Sequence, residues 1–92
     1  MSKFIIERNL PALGAMSREE LAAAAATSNE VLATMAPRAQ WVQSYVTADK
    51  MYCVDIADDE AAVREHARRG GFPADAVHEV STLIDPTTAE GA

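Results

Sequence analysis

Two stretches with helical periodicity, each placed between short β-rich runs, constrain the fold of this chain more than any other feature. Leu21, Ala24, Ala25, Ser28, Leu32 and Met35 follow the i, i+3, i+4, i+7 rhythm that lines up side chains on one helix face. Ser17, with Glu20 three residues on, has the form of a capping box, which satisfies the free N–H groups at a helix start. The alanine run Ala22–Ala26 favours helix and lets the backbone approach whatever lies beneath. Pro37 ends the element. The second helix starts at Asp58 or Asp59. Acids at Asp58, Asp59 and Glu60 and bases at Arg64, Arg68 and Arg69 complement its dipole at the two ends. Gly70 and Gly71 stop it.

The runs between them read as strands. Lys3–Arg8 carries the β-rich Phe4, Ile5 and Ile6. Pro11 and Gly14 break the chain before the first helix. Gln40–Thr47 and Lys50–Ala57 are separated by Ala48 and Asp49 and read as a hairpin. Val77–Ile84 alternates through Val80, Thr82 and Ile84 as a fourth strand. The resulting order, β-α-β-β-α-β, is the α+β, ferredoxin-like arrangement, a four-stranded antiparallel sheet with both helices on one face. Paired through their sheets, two such domains make a dimeric α+β barrel. With 92 residues there is no room for a second independent core. Residues 1–85 are therefore expected as one domain, and 86–92, with no periodic apolar set, as a flexible tail.

Two helices cover one face of such a sheet, so strand alternation divides the side chains. Keeping the apolar sets together assigns Phe4, Ile6, Val42, Ser44, Val46, Tyr52, Val54, Ile56, Val80 and Ile84 to the covered face. A two-residue hairpin loop would pair the faces the other way. The opposite set holds Ile5, Glu7, Trp41, Gln43, Tyr45 and Met51, followed by Cys53, Asp55, Glu79, Ser81 and Leu83. That face mixes large apolar groups with a thiol, a phenol and carboxylates. A half-apolar open sheet face needs a cover, and a second copy of the chain is the expected one. A ligand pocket lined by Trp41, Gln43, Tyr45, Met51 and Glu79 fits at the same interface, where polar groups converge within an apolar wall.

Charge narrows the partners. Eight Lys+Arg against 14 Asp+Glu give a net charge of −6. A nucleic-acid binder carries a basic face, and anionic membranes repel an acidic chain. No segment approaches the roughly 20 apolar residues of a membrane span, and the N-terminus lacks the apolar run of a leader peptide. Cys53 is the sole cysteine, so there is no intrachain disulfide and no CxxC zinc motif. A lone thiol suits the reducing cytoplasm.

The chemistry-bearing residues are few. Cys53 and Asp55 lie two apart on one strand, and Glu7 is expected on the neighbouring strand. Together they form a mixed thiolate–carboxylate set suited to a transition metal, although a buried cysteine is more often a small hydrophobe. Two histidines, His66 and His78, exclude a three-histidine zinc site in one chain. His66 is the outside candidate for a fourth ligand. Ser17, Thr27 and Ser28 have no evident partner for nucleophile activation, and no HExxH, GxSxG, GxGxxG or P-loop occurs.

The runs FIIER and WVQSYVT, the hairpin partner DKMYC, and REHARRGGFPADAV followed by a strand carry a resemblance. In order and spacing they resemble a small bacterial family of domains of unknown function, of about 90 residues, that includes an actinobacterial nickel-binding protein. The resemblance reaches nearly to Asp85-Pro86 and implies the ferredoxin-like fold and dimers formed through the sheets. Where nickel-binding relatives are richer in histidine at the Gly-x-Pro junction, this chain has Phe72, which implies packing there.

Three functional readings follow. One is a cytoplasmic homodimeric binding protein for a divalent transition metal such as nickel, with Glu7, Cys53, Asp55 and His66 as candidate ligands. Another is a small cofactor-independent enzyme acting on an apolar or aromatic small molecule. The third is a purely structural or regulatory interaction module, which requires a sheet–sheet interface packed shut.

Overall fold

In β1 (Ser2–Asn9) burial alternates with period two, Phe4, Ile6 and Arg8 turning inward. The computed structural model, which describes residues 1–91, continues with α1 (Arg18–Met35), β2 (Ala39–Val46), β3 (Lys50–Ala57), α2 (Glu60–Gly70) and β4 (Ala76–Glu79). The strands form one antiparallel sheet in the order β2-β3-β1-β4, the ferredoxin-like topology that the order of elements implies. Both helices lie on the inward face. Phe4, Ile6, Met35, Ala39, Cys53, Ala57, Ala62 and Val63 close the core between them and the sheet.

The local signals act as their chemistry dictates. The Ser17 hydroxyl accepts the Glu20 N–H at 3.1 Å, and the Glu20 carboxylate accepts the Ser17 N–H at 2.9 Å. Asp59 accepts the Ala62 N–H at 2.8 Å and starts α2. Gly71, at φ 72°, takes the left-handed conformation that ends it. No helix among the described residues is long and apolar enough to cross a membrane.

Two expectations are corrected. The fourth strand stops at Glu79 instead of Ile84. Its ladder ends where the Val80 N–H donates to the Lys3 carbonyl at 2.8 Å. β1 begins at Ser2, so the register leaves no β1 backbone to pair with beyond Ser81, and Leu83 and Ile84 are exposed. The face assignment is also reversed for β3 of the hairpin, and for β4, where Glu79 pairs with the inward Phe4. The Thr47 N–H donates to the Lys50 carbonyl at 2.9 Å, closing a tight turn that sets Val46 opposite Met51. Met51, Cys53 and Asp55 therefore face the helices, and Tyr52, Val54 and Ile56 the open side. A bulge between Trp41 and Gln43 then lets Trp41 and Ser44 both turn inward. After β4, Pro86–Glu90 forms an exposed 3₁₀ turn capped by Asp85. Ala92, the last residue of the expected tail, lies outside the described residues.

At the end of α2 the Glu65 carboxylate accepts from Arg68 at 2.7 and 2.8 Å and from Arg69 at 2.8 Å. These hydrogen bonds, chiefly that of Arg68, lower its pKa from 4.5 to about 2. A depressed carboxyl contributes stability that is present above 4.5 and disappears as pH falls toward about 2. The cluster is solvent-exposed, so the effect is small. Melting curves of wild type and Glu65→Gln should differ slightly at neutral pH and converge near pH 2. A gap that persists in acid would show that the difference does not come from the carboxylate.

Candidate metal and ligand site

The alternation that buries Phe4 and Ile6 also turns Arg8 inward, and on β3 it turns Cys53 and Asp55 inward. Over this half of the sheet α1 presents Leu21, Ala24, Ala25 and Ser28, and the two alanines leave space above the strands. A cavity of about 360 Å³ remains between the sheet, α1 and the β1–α1 loop, with Leu13, Met16, Leu21, Val46 and Met51 among its apolar walls. Gly14 fixes the β1–α1 loop against the hairpin turn. The Gly14 N–H donates to the Ala48 carbonyl at 2.8 Å, and a Cβ there would stand 2.7 Å from that oxygen. Only glycine lets the loop dock so closely on the hairpin turn.

Polar side chains converge inside this apolar wall. The Arg8 Nε donates to Cys53 Sγ at 3.3 Å, and its guanidinium also bonds the Pro73 carbonyl and lies 5.7 Å from the Phe72 ring centre. Ser44 Oγ donates to the same sulfur at 3.0 Å and accepts from Trp41 Nε1 at 2.9 Å. On the other side, Ser28 Oγ lies 3.0 Å from His66 Nε2. His66 Nδ1 lies 3.8 Å from Asp55 Oδ2, too far for a hydrogen bond. Asp55 is 1% exposed and His66 3%, yet both Asp55 carboxylate oxygens and His66 Nδ1 have no partner. A buried carboxylate without a partner is strongly unfavourable, so this pair is poised to receive a cation or a donor.

The expected site residues divide between the two faces. Trp41, Met51, Cys53, Asp55 and His66 line the cavity. Glu7 is on the open face, where its Oε2 lies 2.9 Å from His78 Nε2. Gln43 and Tyr45 are also on that face, bonded to each other, and Glu79 is exposed on edge strand β4. Among the described residues no three His, Cys, Asp or Glu side chains are grouped to hold a metal ion. Asp55 and His66 thus offer two donors, a carboxylate oxygen and an imidazole nitrogen, that fit one edge of a coordination sphere. The remaining positions would fall to water or a bound molecule. Ser28, which has no evident partner in the sequence, has one in His66. Arg8 is a further residue the sequence reading missed. Its period-two spacing from Phe4 and Ile6 was the available signal.

No protein of curated function matches the chain. Among solved structures, SCO4226 from Streptomyces coelicolor A3(2) superposes with a TM-score of 0.77 and 19% identity, over 90% of this chain and 100% of that one. At that identity the likeness shows the fold. The family described as nickel responsive protein SCO4226-like matches residues 4–80, a span running from the first core residue of β1 to the last rung of β4. The chain therefore belongs to the SCO4226-like family.

Proposed function

We propose that this chain is a small homodimeric binding protein that takes a divalent transition metal, such as nickel, at Asp55 and His66 on the wall of the cavity between the sheet and α1. The observation that carries the reading is the pair of unpartnered, buried donors 3.8 Å apart. Carboxylate and imidazole suit such ions, and Cys53, two residues along the same strand face, adds a softer donor type nearby. The family's description as nickel responsive supports the same chemistry. When bound, the ion supplies the positive charge that the buried carboxylate lacks. Ser28 holds the His66 ring by its other nitrogen, the kind of outer contact that orients a metal-ligating imidazole. A cytoplasmic setting suits the unpaired Cys53.

Calorimetric titration of metal-free protein with nickel, zinc and copper tests this. At least one ion should bind with a Kd below about 10 μM, and Asp55→Asn and His66→Gln should each weaken it by at least about tenfold. The reading fails if no ion binds more tightly than about 100 μM, or if both variants bind as wild type does.

Support for the dimer comes from the open sheet face. Ile5, Tyr52, Val54 and Ile56 form a partly exposed apolar patch across its two central strands, beside the exposed Tyr45 of β2. Light scattering at micromolar concentration should give twice 9.8 kDa. Val54→Arg should give a folded monomer, because an unpaired charge buried in an apolar interface costs several kcal/mol. A wild-type monomer would overturn the dimer and leave the cavity reading intact.

A second reading, a cofactor-independent enzyme acting on an apolar or aromatic small molecule, is favoured by the Ser28–His66 contact inside an apolar cavity. In it His66 takes a proton from Ser28 or from the substrate. Turnover by metal-free protein that is lost in His66→Gln would favour it over metal binding.

A further inference from the structure

The cavity is far larger than a metal ion needs. Its volume of about 360 Å³ lies within the range of small-molecule sites, roughly 300–1,000 Å³. Leu13, Leu21, Val46 and Met51 give it walls that water wets poorly. Arg8 is 3% exposed and enters no ion pair with a described carboxylate, its bonds going to a sulfur and a carbonyl. A buried guanidinium without a counter-ion is as unusual as the buried carboxylate of Asp55. The two occupy different levels of the sheet. Arg8 pairs with Met51 and Asp55 with Phe4, with the Ile6–Cys53 pair between them. An ion at Asp55 therefore leaves Arg8 uncompensated.

We propose that the cavity holds a small organic anion with an apolar body, its carboxylate or equivalent group at Arg8 and its body between α1 and β2. Planar guanidinium suits a carboxylate, which it meets with paired N–H donors. Ala24 and Ala25 are part of this design, because larger side chains there would fill the space the body occupies. The inference goes beyond the metal reading and stands on Arg8 and the cavity volume, independently of the Asp55–His66 pair.

Trp41, the sole tryptophan, lines the cavity and reports on its contents. The probe is 4-tert-butylbenzoate, with 4-tert-butylbenzylamine as the cation of matching body. Both are titrated against metal-free and nickel-treated protein while Trp41 emission is followed. The benzoate should give a saturable change with a Kd below about 10 mM in both forms. Arg8→Gln should weaken it at least about tenfold, and the amine should not bind the nickel-treated form. Should Arg8→Gln fail to fold, Ala25→Leu provides the second arm. It should remain folded and lose the benzoate response. The proposal is overturned if the benzoate leaves Trp41 unchanged, if either variant that folds binds it as wild type does, or if the amine binds the nickel-treated form equally well. Benzoate binding without binding of nickel, zinc or copper would remove the metal reading and leave this one standing. Nickel binding without benzoate binding would do the reverse.

Discussion

Replacing Asp55 by Leu should make the protein more stable, by about 1–4 kcal/mol, and abolish metal binding. The Asp55 side chain is 1% exposed, neither carboxylate oxygen has a hydrogen bond, and the nearest charge-capable group, His66 Nδ1, is 3.8 Å away. Removing a charge from water without compensation is unfavourable, whereas leucine of similar size fills the same space against Phe4, its cross-strand neighbour. In a domain of this length each kcal/mol moves Tm by about 4–8 °C, so the change is easily read by thermal or urea denaturation of metal-free protein. The direction is diagnostic. Greater stability with lost binding marks Asp55 as a residue held for its ligand, whereas a large loss of stability would mean that the carboxylate has structural partners in solution.

Phe4→Ala should act in the opposite direction and lower stability by about 3–5 kcal/mol. Phe4 is 1% exposed on β1, one of the two central strands, and anchors the cluster that includes Ile6, Cys53 and Val63. Small domains retain only about 5–15 kcal/mol in total, so the variant should melt far below wild type. The core is already thin where the cavity takes its place, and little side-chain volume stands ready to fill the void. Denaturation midpoints check this, and a loss under about 1 kcal/mol would contradict the packing described for β1.

The architecture was legible in the sequence because its signals are local. The Ser17–Glu20 box, the Asp59 cap and the Gly70-Gly71 stop each act within a few residues, and they delimit the helices nearly where the structure has them. The faces of the hairpin were not legible in the same way. Alternation fixes which residues share a side of a strand, but the turn at Thr47–Lys50 and the bulge near Val42 decide which side meets the helices. Apolar sorting chose Val54 and Ile56 for the core, whereas the chain places Asp55 there and leaves the valine and isoleucine to the open face. The polar interior is what misled the sorting, since a site with a buried carboxylate and guanidinium violates the rule that apolar residues go inside. Cys53, Asp55 and His66 were legible as ligand types. That Glu7 stands on the other face follows from register alone.

Anomalous diffraction at the nickel absorption edge, on crystals of the protein grown with nickel, tests the central claim most directly. A peak is expected inside the cavity within about 2.0–2.2 Å of an Asp55 carboxylate oxygen and His66 Nδ1, absent from Asp55→Leu crystals. A peak at Glu7 and His78 on the open sheet face, with the cavity free of nickel, would contradict it.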